Sequence, residues 1–136
     1  MTAFLGRVKA EWALRLAFAA MYFYSSLSII RHPGEWEWAM RQLPNFIQGL
    51  IDGIGLLTFL RVQGVVELLF ALCFVAWFLP RRAVAVVAGL AALEMLSILV
   101  MVGVDSVTFR DFGILGGLIA LALLLYSKQD DFVRLS

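Results

Sequence analysis

Apolar residues fall in four long blocks, at about residues 12–30, 62–79, 83–104 and 108–126, separated by polar stretches. Each block approaches the roughly 20 residues that an α-helix needs to cross a bilayer. Leu, Val, Ala and Phe follow one another without period-two alternation, which favours helices over the strands of a barrel. The pattern predicts an all-α integral membrane four-helix bundle, one transmembrane domain over residues 1–136. Arg7, Lys9 and Arg15 ahead of the first block resemble the opening of a secretory signal. The block ends in Tyr22-Phe23-Tyr24 without a small-x-small cleavage site, so a retained helix is expected.

The stretch of about 33–60 is too long for a bare turn and too apolar for a solvated loop. Pro33 and Pro44 bracket Trp36, Met40 and Leu43 at helical spacing, with Glu35, Arg41 and Gln42 opposite. This predicts an amphipathic helix on the membrane surface, anchored by Trp36 and Trp38. A second piece, 45–60, sets Phe46, Leu50, Ile54 and Leu57 on one side, with Gln48, Asp52 and three glycines (Gly49, Gly53 and Gly55) among them. It is expected to cap the bundle or re-enter the membrane.

Composition agrees with a bilayer environment. The 136 residues are 62% hydrophobic and 15% charged, with a mean hydropathy of +0.92. An ordinary soluble domain is about half apolar and a quarter charged. A net charge of +1 gives no basis for a nucleic-acid partner, which calls for a basic stripe or face. The single Cys73 excludes an internal disulfide or a Cys-x-x-Cys pair, and the single His32 excludes bis-His haem ligation and an ordinary multi-His metal site. Little room remains for an independent redox or metallo-enzyme.

Cation placement predicts sidedness. With the N-terminus inside, Arg7, Lys9, Arg15, Arg81, Arg82, Lys128 and Arg134 lie inside, against Arg31, Arg41, Arg61 and Arg110 outside. The positive-inside rule therefore places both termini in the cytoplasm of a cell with this chain in its inner membrane. Pro80-Arg81-Arg82 is the sharpest signal, because a doubly basic hairpin turn is rarely translocated.

Charges inside the spans are the informative residues, since each costs about 2.5–3.5 kcal/mol near mid-bilayer on insertion scales. Arg15, one turn inside the first span, is expected to snorkel to the inner interface. Glu67 and Glu94 are expected at a common depth of about 9–15 Å below the outer surface. Tyr22, Ser26, Gln63 and Ser97 fall in the same outer half, and the last span opens with Asp105, Thr108, Arg110 and Asp111. The expectation is one polar cluster, with Glu67 and Glu94 as its acids and Arg110 as its cation. Interhelical glue and a ligand or proton site explain such a cluster equally well.

Gly113-x-x-x-Gly117 and Gly116-x-x-x-Ala120 in the last span, with Ala85-x-x-x-Gly89 in the third, are faces at which helices approach closely, within the chain or between subunits. Cys73, among Phe and Leu, reads as a small packing residue, and His32 beside Pro33 as a loop residue.

Laid out this way, the chain resembles the DoxX-like family of small four-helix membrane proteins over roughly 12–127. The resemblance rests on Arg15-Leu16, Phe23 and Ser25-Ser26 in the first span, on Gly64-Val-Val-Glu67-Leu-Leu, and on Pro80-Arg81-Arg82. Its most specific element is Thr108-Phe109-Arg110-Asp111-Phe112-Gly113-Ile-Leu-Gly116. The family's first helix commonly runs through a glycine toward a lysine, where this chain has Ser26 and Ser28. Members are associated with membrane redox enzymes, including the small subunit of a thiosulfate:quinone oxidoreductase, and with oxidative-stress complexes. Related four-helix proteins that act on quinones directly use paired cysteines, which this chain lacks. The resemblance implies a non-catalytic subunit that anchors or completes a membrane oxidoreductase, with a polar cavity for a quinone or lipid and no covalently bound cofactor. Partners would be other membrane subunits or further copies of the chain. The alternatives are a small proton-linked permease, in which Glu67 and Glu94 alternate protonation, and a purely structural subunit.

Overall fold

Unbroken runs of good helix formers become helices because a backbone in lipid must satisfy its own hydrogen bonds. The computed structural model describes residues 2–104 and 108–133, with side chains described over 10–104 and 108–127; Asp105 and Arg134 lie outside the described residues. Helix α1 (Thr2–Arg31) is followed by a 3-10 turn (Pro33–Trp36), α2 (Glu37–Arg41), α3 (Asn45–Ile54) and α4 (Leu56–Val75). Helix α5 (Arg81–Met101), a 3-10 turn (Thr108–Arg110) and α6 (Asp111–Val133) complete the chain. No strand occurs among the described residues. Among the described residues, four helices are long and apolar enough to cross a membrane, over Ala10–Arg31, Leu56–Val75, Arg81–Met101 and Thr108–Ser127. The protein is an all-α, multi-pass membrane bundle.

The second span is displaced from its expected position at 62–79. Its N-terminus is set by Gly55, whose φ of +88° turns the chain sharply between α3 and α4, a conformation that only glycine adopts without strain. Arg61, read from sequence as the end of the loop, is therefore in the second turn of α4. The helix stops at Val75 and residues 76–80 form the turn that leads into α5, so Trp77 and Phe78 leave the span and stand exposed in edge-to-face contact. Aromatic residues there suit the membrane interface.

The connecting segment is also more divided than its apolar spacing suggests. A 3-10 turn and the short α2 replace one amphipathic helix, because Pro33 and Gly34 open it and Pro44 follows closely. Trp36 is tethered rather than free, its indole Nε1 donating to Ser28 Oγ at 3.2 Å. Helix α3 buries Ile51 against the body while Phe46, Leu50 and Ile54 stay exposed. An apolar exposed face on a short helix at the end of a bundle fits the interfacial role expected of it.

The spans run antiparallel in sequence. One end, here the basic end, gathers the start of the α1 span, the α4–α5 turn and the end of α6. The opposite end holds the long connection. Packing divides the bundle into two close pairs, α1 with α4 and α5 with α6, joined by a sparser seam. The core spans both pairs, from Phe18, Tyr22 and Phe74 to Ala88, Ala91, Leu118, Leu121 and Leu125. Within the first pair, Gly64 brings α4 against α1. A Cβ there would stand 2.7 Å from Ile30 Cγ1 and 3.3 Å from the Ser26 carbonyl oxygen. Gly117 makes room for the Phe18 ring in the same way, whereas Gly89, Gly113 and Gly116 face open space. Of the four glycines expected to pack, one does so within the chain.

Candidate functional site: two buried polar centres

The described side chains form two polar centres, one toward each end of the bundle. The first lies at the seam. Gln63 of α4 donates from Nε2 to Glu94 Oε1 of α5, and Tyr22 of α1 donates from its hydroxyl to the Ala91 carbonyl of α5 at 3.3 Å. Tyr22 lies within electrostatic reach of Glu94, Glu67 and Asp111. Glu67, one turn below Gln63 on α4, is 5% exposed, with Ser25, Gln63 and Glu94 beside it. Glu94 has Tyr22 and Gln63 as neighbours. The structure thus brings together Tyr22, Gln63, Glu67 and Glu94. Gln63, one turn from Glu67 on α4, holds Glu94 of α5, and Glu94 lies within electrostatic reach of Glu67, so the two acids come together at the seam.

One oxygen on each acid, Glu67 Oε2 and Glu94 Oε2, is buried without a hydrogen-bond partner. Buried polar atoms are almost always satisfied, and an orphaned acceptor costs about 1–3 kcal/mol. Two on facing helices are therefore the most unusual chemical feature of the bundle.

The remaining candidates fall around this centre. Ser26 is fully buried; its hydroxyl donates within its own helix, to the Phe23 carbonyl at 2.9 Å, and its backbone carbonyl lies against Gly64. Ser25, its neighbour, takes the place beside Glu67; the adjacent Ser25-Ser26 pair was the available signal. Asp111 is half-buried at the first turn of α6. Arg110, expected as the cation of the cluster, is exposed on the 3-10 turn ahead of α6 and is not among the neighbours of either acid.

The second centre, toward the basic end, corrects the reading of Arg15. Its side chain does not snorkel: Arg15 is 3% exposed. Nε donates to the Phe74 carbonyl at 2.8 Å and Nη2 to the Ala76 carbonyl at 2.7 Å. Those carbonyls belong to the end of α4, where helix geometry leaves acceptors unpaired and the dipole is negative. Glu11, also 3% exposed, stands 3.6 Å from Arg15 and 3.8 Å from Arg81 of α5. The Arg15 guanidinium carbon lies 4.2 Å from the centre of the Trp12 ring. Because α1 begins at Thr2, Arg15 is several turns from the helix end. Glu11 escaped notice because it precedes the apolar block, although Glu11-x-x-x-Arg15 is the spacing of an i,i+4 ion pair.

Two shallow grooves open on the outside of the bundle. One lies between α1 and α4, lined by Leu16, Ala19, Ala20, Phe23, Ala71, Leu72 and Val75; the other lies between α5 and α6 near the basic end. Neither includes Glu67 or Glu94. Among the described residues no group of His, Cys, Asp and Glu is arranged to hold a metal ion. Comparison of the chain with known protein families, with curated proteins and with solved structures finds no match.

Proposed function

We propose that the chain is a DoxX-like, non-catalytic subunit of the inner membrane, both termini cytoplasmic, that anchors or completes an oxidoreductase assembly. In this reading the seam between the helix pairs engages the headgroup of a quinone in its reduced form. The observation that carries it is the pair of orphaned carboxylate oxygens, Glu67 Oε2 and Glu94 Oε2, on facing helices. A dihydroxy ring suits them because each hydroxyl donates one hydrogen bond and each acid has one oxygen without a donor. The seam that holds them is more sparsely packed than either helix pair. The basic residues Arg81 and Arg82 at the α4–α5 turn support the orientation.

The same acids also favour a second reading, a proton-linked permease in which the two carboxyls exchange a proton. Against it, the described spans run unbroken through mid-membrane, whereas transporter sites are typically built at interrupted helices.

Native mass spectrometry and solvent extraction of the gently solubilised protein test these readings. The wild type is expected to carry larger partner proteins and extractable quinone, and Glu67→Gln to lose the quinone while keeping its helical content. Proton-coupled solute uptake by the chain alone in liposomes would replace this reading with the permease. Partners without quinone, and a Glu67→Gln variant altered only in stability, would leave a structural subunit.

A further inference from the structure

The groove between α5 and α6 has a feature that its counterpart between α1 and α4 lacks. Both are open, apolar channels, of about 360 and 370 Å³. The counterpart is lined by apolar side chains alone. The α5–α6 groove is floored by the small side chains Ala85 and Ala122, walled by Val86, Leu123 and Tyr126, and closed at its basic end by Arg82. Its floor is half-buried and its walls are exposed, so the groove faces the surroundings of the bundle and not its core.

Arg82 sits in the first turn of α5, and a span of this length covers roughly 30 Å, the thickness of the hydrocarbon layer. Its guanidinium is therefore at the level of lipid phosphates. The neighbouring Arg81 is engaged with buried Glu11. Arg82 is exposed and makes no ion pair or side-chain hydrogen bond with any described residue. A free guanidinium presents a planar fork of donors that matches a phosphate. Basic pockets between spans are where anionic headgroups settle.

We propose that the α5–α6 groove is a binding site for an anionic phospholipid, with one acyl chain along Ala85, Ala122 and Leu123 and the headgroup phosphate on Arg82. The site is independent of the acid pair at the seam and of any oxidoreductase role.

The test is native mass spectrometry of the full chain in mild detergent, titrated with phosphatidylglycerol or phosphatidylcholine. The wild type is expected to retain phosphatidylglycerol about fivefold more strongly than phosphatidylcholine. Arg82→Gln should abolish that preference. Val86→Trp, on the exposed wall, and Ala122→Phe, on the floor, should each reduce retention of both lipids; if Ala122→Phe fails to fold, Val86→Trp carries the test. Ala20→Trp, in the uncharged groove, should leave the preference intact. Equal retention of the two lipids by the wild type, or a preference that survives Arg82→Gln, overturns the proposal. So does a lipid-free dimer that dissociates on Val86→Trp, which would assign the groove to a second copy of the chain.

Discussion

Arg15 illustrates how one side chain can serve three elements at once. It carries its charge on α1, satisfies the end of α4 through two backbone carbonyls, and shares Glu11 with Arg81 of α5. Removing one member of a buried pair leaves the other charge without compensation, which typically costs about 3–5 kcal/mol. Arg15→Leu is accordingly expected to lower the thermal midpoint in detergent far more than Arg82→Gln, whose side chain is exposed. Adding Glu11→Gln to Arg15→Leu should recover part of the loss, because the buried Glu11 carboxylate then no longer loses its nearer cation and keeps only the more exposed Arg81. A double variant as unstable as the sum of its parts would show that the two residues act separately.

At the scale of helices, the glycines separate into two kinds that sequence spacing does not distinguish. Gly64 is where α4 meets α1, with Ile30, Ile29 and the Ser26 backbone too near for a methyl group. Gly64→Ala must push the pair apart and is expected to destabilise by about 1–3 kcal/mol, the usual cost of overpacking. Gly113 faces open space within the chain, and Gly113→Ala gains helix propensity of up to about 1 kcal/mol. Thermal unfolding of the two variants should move in opposite directions. If Gly113→Ala instead disrupts an assembly, the small face of α6 is buried against another subunit.

For the whole molecule, the seam between helix pairs decides how firmly the bundle is closed. Its described side-chain hydrogen bonds are polar ties from α1 and α4 to α5, Tyr22 to Ala91 and Gln63 to Glu94. They are not equivalent. Tyr22→Phe removes a donor from a carbonyl already within a helix, and should cost about 0.6 kcal/mol, the average for such bonds in membranes. Gln63→Leu removes the amide donor to Glu94 Oε1 and should cost about 1–3 kcal/mol. Glu94→Gln on the Gln63→Leu background should restore much of the difference. Thermal midpoints of the three variants in one detergent check the order.

The four spans, their helical nature and the membrane environment were legible from sequence because hydropathy over about 20 residues is a local sum that needs no knowledge of neighbours. So were the chemical identities at the seam: Glu67 and Glu94 stood out as acids in apolar runs, with Tyr22 and Gln63 at matching heights. The span boundary at Leu56 was not, because Leu, Phe and Val continue on both sides of it and the break depends on the backbone angle at Gly55. Nor was the direction in which a long side chain points. Arg15 and Arg110 are the same residue near the ends of apolar runs, yet one is buried on carbonyls of α4 and the other lies exposed at the rim. For Arg15 that outcome is set by the end of α4, whose carbonyls lie across from its guanidinium. Local pattern therefore determined what must leave water; only the packed bundle decided which polar atoms found one another and which two oxygens were left without a donor.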